Sequence, residues 1–322
     1  SFTAHSTPKK ILSNTDLEKI VDTSDDWIRS RTGIKQRFIV EDGEASSDIS
    51  TRIAKKLLQK AKIDADDIDL IIVGTVTPDH YTPSTAAIVQ KNINAKNAWG
   101  FDLSAACSGY IFGLETGSNF IKSGKYKNIM VIGVDTMSSI LDFQDRDTCV
   151  IFGDGGGGAI LQPSKKGYGI IDSILHMDGS GGNYLIVPAG GSRIPASINS
   201  IKKRKHFIKQ DGKTVFKYAV KGMADVSKKI LLNNNMSGKD ISLFIPHQAN
   251  KRIIDAAAQK CGIDENKVLI NIDKYGNTTA GTIPIAMNEA INDKRIKDGD
   301  YILLSSFGAG FTWGSMLIRW EM

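Results

Sequence analysis

The chain has 322 residues, 41% of them apolar and 24% charged, which is the balance of a soluble globular protein with room for two domains or one large duplicated fold. No apolar run approaches the ~20 residues that cross a membrane, residues 1–12 hold no signal-peptide core, and Cys107, Cys149 and Cys261 match neither a disulfide framework nor a zinc site, so a cytoplasmic protein is expected. The net charge of +6 suits an acidic protein partner or a phosphate-bearing ligand as well as it suits nucleic acid.

Residues 8–22 read as a loop and a short helix carrying Leu17, Ile20 and Val21. Thr23 or Ser24 is placed to cap the next helix, with Asp25 and Asp26 in its first turn. Arg29, Arg31, Lys35 and Arg37 crowd Trp27. A ring beside guanidinium groups can stack an adenine and hold phosphates; it is equally a half-buried tryptophan among solvated charges. Ile49, Ile53, Ala54, Leu57, Leu58 and Ala61 recur at helical spacing after a Ser46-Ser47-Asp48 cap, and residues 67–74 then form a buried strand, the grammar of an α/β fold. Residues 77–83 read as a loop and 84–92 as a helix.

Residues 99–103 have strand composition, Ser104-Ala105-Ala106 make a small-residue corner, and from Tyr110 to Ile121 only Glu115 is charged. A helix that apolar is buried. Cys107 therefore sits where a strand ends and a buried helix begins. Unpaired amide N–H groups and the positive end of the dipole favour thiolate there. The alternative is a small core cysteine. After a strand at 128–134, FGDGGGGAIL lacks both the Gly-Lys-Ser/Thr ending of a P-loop and the flanking elements of a dinucleotide fingerprint. It reads as a turn leading into a strand, with backbone that must pass close to something.

The second half repeats the first at an offset of about 170 residues, a two-fold duplication rather than a solenoid. An amphipathic helix with Phe216, Ala219, Val220, Met223, Val226 and Ile230 leads to residues 240–245, a near copy of 67–72. Residues 279–290, with only Glu289 charged, mirror 110–121, and 301–305 mirror 131–135. Phe307-Gly308-Ala309-Gly310-Phe311 and the strand after it mirror the glycine run. The halves divide at 1–165, carrying Cys107, and 166–322. In this alignment Asn277 falls where Cys107 does, so the two helix starts would face each other across one site. His247 follows the 240–245 strand, at the carboxyl end where α/β sites form. His5, His80, His176 and His206 lack that placement. Three polar groups at corresponding ends of a duplicated sheet point to one reaction centre.

FDLSAACSGY with Cys107, IPHQANKRI with His247 and KYGNTTAGTIPIA with Asn277 resemble the three active-site motifs of the β-ketoacyl-acyl-carrier-protein synthase III family. DTSDDWIRSRTGI, FGDGGGGAIL, DGKTVFKYAV and SSFGAGFTWGS match it too, so the resemblance spans nearly the whole chain. It implies a thiolase-like α/β fold, internally duplicated, with five layers α-β-α-β-α and two mixed sheets, usually a homodimer. It implies a decarboxylative Claisen condensation that begins fatty-acid synthesis. Cys107 would take the acyl group of an acyl-coenzyme A, and His247 and Asn277 would stabilise the enolate formed from malonyl-acyl carrier protein. Backbone N–H groups of Cys107 and Ala309 would form the oxyanion hole, Ala309 standing where the family usually has glycine. Thr23, Trp27, Arg31, Arg146, Gly212 and Asn250 would bind coenzyme A and its pantetheine. Lys217, Gln248, Ala249, Asn250, Lys251 and Arg252 would meet the acidic carrier protein, with 202–205 either adding to that surface or forming a solvated loop. Thr82 replaces a phenylalanine that the dimer partner inserts into the acyl pocket, which implies room for longer or branched primers. The resemblance implies no cofactor or metal beyond the coenzyme A thioester substrate, and neither a nucleic-acid nor a membrane partner.

Several relatives of this chemistry fit less well. A degradative thiolase needs a second cysteine in the 308–310 loop, and elongating synthases pair cysteine with two histidines. A secondary-metabolite acyltransferase or polyketide-starter synthase on the same scaffold is the alternative. A silent acyl-coenzyme A binder leaves the triad unexplained, a cysteine protease leaves the duplication unexplained, and a nucleic-acid binder lacks an aromatic-basic module.

Overall fold

The structure, a computed structural model, describes residues 2–321. Its two main sheets centre on strands that are apolar on both faces, the composition of sheets covered by helices on each side, and two further sheets of two strands each pair Lys10–Ser13 with Gln36–Ile39 and Leu185–Ile186 with Lys209–Gln210. The first sheet contains β1 (Phe2–Ser6), β2 (Leu70–Gly74), β3 (Trp99–Leu103), β4 (Ile129–Thr136) and β5 (Asp154–Leu161) in the order β1-β5-β4-β2-β3. The second contains β6 (Gly169–Met177), β7 (Leu243–Pro246), β8 (Tyr301–Gly308) and β9 (Thr312–Arg319) in the order β7-β8-β9-β6. Both are mixed: β2 runs parallel to β3 and β4, and β7 parallel to β8, with the remaining pairs antiparallel. A fifth strand in the second sheet is reduced to one parallel bridge, Phe244 to Val268.

The helices that place the site are α1 (Asp25–Thr32), α2 (Ser46–Ala61), α3 (Thr85–Asn92), α4 (Gly109–Lys122), α5 (Gly212–Asn233), α6 (Lys251–Cys261) and α7 (Thr282–Asn292). Side chains alternate across each strand. Leu70, Ile72, Ile129 and Val131 face inward with Leu243, Ile245, Ile302 and Leu304 onto Ile111 and Leu114 of α4 and Ile283, Ala286 and Ala290 of α7. Ile71, Val73, Met130 and Ile132 face outward onto α2 and α3, while Phe244, Leu303 and Leu317 face α5 and α6. The result is five layers, helix-sheet-helix-sheet-helix, with α4 and α7 in the middle. No helix among the described residues is long and apolar enough to cross a membrane.

Register corrects the duplication as read from sequence. Leu70 pairs with Ile129, and Leu243 pairs in the same way with Ile302. The strand at 301–305 is therefore shifted three residues from its assumed counterpart. Ala106 and Thr279, both with left-handed backbone (φ 48° and 50°), hold equivalent turns before α4 and α7. The counterpart of Cys107 is Ala280, and Asn277 lies three residues earlier. Strand pairing sets the equivalence, and motif order alone does not reveal it.

The glycines are also not a turn. Gly155–Gly158 lie within β5 itself. A Cβ on Gly157 would stand 2.9 Å from the carbonyl carbon of Pro284, and one on Gly158 2.6 Å from the Val131 oxygen. Their absent side chains let α7 and β4 approach the strand directly.

Candidate active site

Cys107 is buried in the 3₁₀ turn Ala106–Ser108, between the end of β3 and the start of α4. The second half holds this turn in place. Thr312 Oγ1 donates to the Ala105 carbonyl (2.8 Å), Ser306 Oγ to the Cys107 carbonyl (2.8 Å) and Ser108 Oγ to the Thr312 carbonyl (3.1 Å). Gly308 packs so closely that a Cβ there would lie 2.7 Å from the Cys107 nitrogen. Ala309 follows Gly308 in the chain, and its φ is not left-handed, so alanine fits that backbone.

The electrostatics differ from the sequence expectation. Burial, reinforced by the Asp135 carboxylate, pushes the Cys107 thiol up to about 12. The resting group is a thiol. The helix start does not overcome the desolvation of the buried sulfur.

His247 follows β7 and is buried. Its N–H donates to the Ser305 carbonyl (2.8 Å), and the adjacent Ser306 holds Cys107, so both residues are anchored on consecutive positions of β8. His247 Nδ1 lies 2.7 Å from Thr282 Oγ1 at the start of α7. Burial takes the imidazole down to about 3, so it is neutral.

Asn277 forms a parallel bridge with Phe152, donating to the Ile151 carbonyl and accepting from the Gly153 N–H, both at 3.0 Å. Its Oδ1 accepts the Thr279 N–H (2.8 Å). That bond fixes the amide orientation, and among the described residues Nδ2 has no protein acceptor.

Asp135 is a site residue that sequence reasoning missed. It lies fully buried near the carboxyl end of β4. Oδ1 accepts from Thr75 Oγ1 (3.0 Å), Val76 N (2.8 Å), Thr77 N (3.1 Å) and Thr77 Oγ1 (2.9 Å). Oδ2 accepts from Thr279 Oγ1 and the Ala280 N–H. Burial raises its pKa. The carboxylate thus ties the 75–77 loop to the turn that orients Asn277. A lone acid closing an otherwise apolar strand was the available signal.

The residues expected to hold coenzyme A lie around α1 and the start of α6. The Arg146 and Arg31 guanidinium carbons stand 4.8 Å and 5.4 Å from the Trp27 ring centre, and Arg146 donates to the Asp22 carbonyl (3.0 Å). Thr23 Oγ1 is buried without a protein partner. Asn250 caps α6 through Arg252 N (2.9 Å), and its Nδ2 donates to the Arg31 carbonyl (3.0 Å). Gly212 opens α5 and is exposed.

Of the residues expected to face a carrier protein, Lys217, Lys251 and Arg252 are exposed. Gln248 is a correction: it is buried, its Nε2 donating to the Pro246 and Leu269 carbonyls and its Oε1 accepting the Asn271 N–H, so its amide is spent inside the protein. Ala249 is half-buried against the apolar cluster between α5 and α6. In the 202–205 run, Arg204 is engaged by Asp142. Thr82 is exposed on the loop before α3.

Two family models match the chain. The 3-oxoacyl-[acyl-carrier-protein (ACP)] synthase III model matches residues 101–179, which include Cys107, and its C-terminal model matches 231–320, which include His247 and Asn277. The β-ketoacyl-[acyl-carrier-protein] synthase III of Chlorobaculum tepidum is 53% identical over 322 residues, covering 99% of this chain and 98% of that protein. The chain belongs to the β-ketoacyl-[acyl-carrier-protein] synthase III family. Solved synthases III superpose on it throughout. That of Aquifex aeolicus has 43% identity and a TM-score of 0.91, covering 99% of this chain and 98% of its own. That of Thermus thermophilus has 37% identity and a TM-score of 0.93 with the same coverage. The thiolase-like reading of this synthase's five layers is therefore established at the level of the whole fold.

Proposed function

We propose that this synthase condenses an acyl-coenzyme A primer with malonyl-acyl carrier protein, initiating fatty-acid synthesis through a thioester on Cys107. The observation that carries the residue assignment is the convergence of Cys107 and His247 on Ser306 and Ser305 of β8, with Asn277 oriented by the turn facing Cys107.

In the first half-reaction the Cys107 sulfur attacks the acyl-coenzyme A carbonyl. The tetrahedral oxyanion accepts hydrogen bonds from the Cys107 and Ala309 N–H groups, coenzyme A leaves as its thiol, and the Cys107 proton is the one balanced by that departure. In the second, malonyl-acyl carrier protein loses carbon dioxide. The electron pair of the broken C–C bond becomes an enolate, whose oxygen is held by His247 and Asn277 Nδ2. The enolate carbon then attacks the acyl thioester and expels Cys107 thiolate, which takes up one proton from solvent to restore the thiol. The product is a 3-oxoacyl carrier protein.

Coenzyme A is a substrate in this reading, and no resident cofactor or metal takes part. Trp27 and Arg146, already face to face, stack the adenine, and the unpartnered Thr23 hydroxyl lies in the same region. Lys217, Lys251 and Arg252 supply the positive rim for an acidic carrier protein. A homodimer is supported by β3, an edge strand of the first sheet whose Trp99 is 43% exposed. The exposed Thr82 loop would then reach a partner's acyl pocket. Three free cysteines and a coenzyme A thioester substrate support a cytoplasmic setting.

The test is product formation from malonyl-acyl carrier protein with a panel of coenzyme A primers. Condensation that survives beyond acetyl to butyryl or isobutyryl, and that is abolished by Cys107→Ala, is expected. Activity retained by Cys107→Ala contradicts the mechanism, and turnover confined to acetyl contradicts the Thr82 reading.

A further inference from the structure

We infer that Glu289 is a positioning residue for condensation: through Asn271 and Tyr275 it holds both ends of the turn from which Asn277 leaves, and so sets the place of Asn277 relative to His247. This deepens the reading given above and rests on Asn277 being a group that holds the enolate oxygen.

Glu289 is the one charge in the 279–290 stretch, and its side chain is only 17% exposed. Neither half-reaction uses it. Its carboxylate spans a single turn of helix, Ile272–Tyr275. Oε2 accepts from Asn271 Nδ2 (2.7 Å) where that turn begins, and Oε1 accepts from the Tyr275 hydroxyl (2.8 Å) where it ends, with Lys274 Nζ 3.3 Å from the same oxygen. Burial, reinforced by the Glu289 carboxylate, raises the Tyr275 pKa, so the hydroxyl keeps the proton it donates.

Gly276 follows with φ 66°, and a Cβ there would lie 3.1 Å from the Ile151 carbonyl oxygen and 3.2 Å from the Arg37 Cβ. The chain therefore leaves the turn through a position that suits glycine and enters the pairing of Asn277 with residues 151–153 at once. One residue separates Tyr275 from Asn277, so a shift of the turn reaches the Asn277 side chain.

The start of the same turn is tied to His247. Gln248, the next residue, is buried. Its Nε2 donates to the carbonyls of Pro246 (2.8 Å) and Leu269 (3.1 Å), and its Oε1 accepts the Asn271 N–H (3.0 Å). Carbonyls only accept and an amide N–H only donates, so this side chain has one orientation. The run Gln248–Asn271–Glu289–Tyr275 thus places His247 and Asn277 in one frame. Cys107 is held by a different set, Ser306, Thr312 and Ser108. Glu289 touches no reacting atom, and its effect belongs to condensation and not to acylation.

The experiment measures Cys107 acylation and malonyl-acyl carrier protein condensation separately in Tyr275→Phe and Glu289→Gln. Phe38 and His5 pack against the Tyr275 ring, with ring centres 5.7 Å and 6.1 Å away, so phenylalanine keeps its place and only the hydroxyl is lost. Tyr275→Phe should lower kcat for condensation about threefold to tenfold, with acylation and the KM for malonyl-acyl carrier protein kept within about twofold. Glu289→Gln turns one acceptor into a donor and should lower condensation about tenfold to a hundredfold, again with acylation kept. Added to Asn277→Ala, Tyr275→Phe should change the residual condensation by less than about twofold, because a residue that acts through Asn277 has nothing left to position. Wild-type condensation in Tyr275→Phe, equal loss of both half-reactions, or a full further loss on top of Asn277→Ala overturns the proposal. Tyr275→Phe decides it even where Glu289→Gln does not fold. Asn277→Ala alone keeps the underlying reading separate: if that variant condenses normally, the enolate role of Asn277 fails, whatever Tyr275 and Glu289 do.

Discussion

At the scale of single residues, the proposed triad could be picked out as a candidate because Cys107, His247 and Asn277 each stand in a distinctive local motif. Their supports were not. Thr279, Thr282 and Ser306 are small hydroxyl residues in turns or strands, and nothing in their spacing marks them. Their roles depend on a left-handed turn and on pairing across the two halves. The thiolate expectation at Cys107 failed for a related reason: sequence shows a helix start, but not that the sulfur is desolvated and shares its surroundings with Asp135. Burial of His247 gives a stability prediction. Its folded pKa of about 3 lies below the ordinary 6.5, so between those values the unfolded chain binds more protons. Stability contributed by neutral His247 is present above pH 6.5 and is lost as pH falls toward 3. At pH 5 the loss should be about 2 kcal/mol relative to pH 7. Urea unfolding of wild type and His247→Gln at both pH values checks this: the variant should lose less stability on acidification, and parallel losses would contradict it.

At the scale of elements, alternation of apolar residues was enough to identify the central strands, and uncharged stretches were enough to bury α4 and α7. Sequence also indicated that the glycine run passes close to something; what it did not resolve was that the run is itself strand, and what it meets. The glycines of β5 read as a turn because a glycine run ordinarily breaks structure, yet here they remove side chains where α7 and β4 meet the strand. The same physics operates at Gly308, where a Cβ would lie 2.7 Å from the Cys107 nitrogen and 3.2 Å from the Ala106 Cβ. Both neighbours belong to a turn held by three side-chain hydrogen bonds, so they do not yield easily. Gly308→Ala should cost about 1–3 kcal/mol in stability and slow Cys107 acylation at least tenfold, because it displaces an oxyanion donor. Ala309→Gly should leave acylation near wild type. Single-turnover acylation measured beside denaturant unfolding distinguishes these, and normal acylation in Gly308→Ala would contradict the placement of the oxyanion hole.

At the scale of the whole molecule, duplication was visible as repeated strand and helix patterns, but the shift of three residues needed the sheet register. The duplication explains why one site draws on both halves: the turns before α4 and α7 meet in the middle layer, and β8 anchors residues from each side. The open edge at β3 carries the dimer prediction. Trp99→Asp should move sedimentation from dimer toward monomer and lower condensation with it, because a partner's Thr82 loop would no longer close the acyl pocket. A wild-type monomer with full activity would contradict that arrangement. The central claim is narrower: Cys107 carries the acyl group between two substrates. The most direct measurement is the intact mass of the protein after acyl-coenzyme A is added, and again after malonyl-acyl carrier protein. A gain of one acyl group located on Cys107, discharged with release of carbon dioxide and appearance of the 3-oxoacyl carrier protein, is the predicted result. An unchanged mass, or an acyl group that malonyl-acyl carrier protein does not remove, would contradict the account.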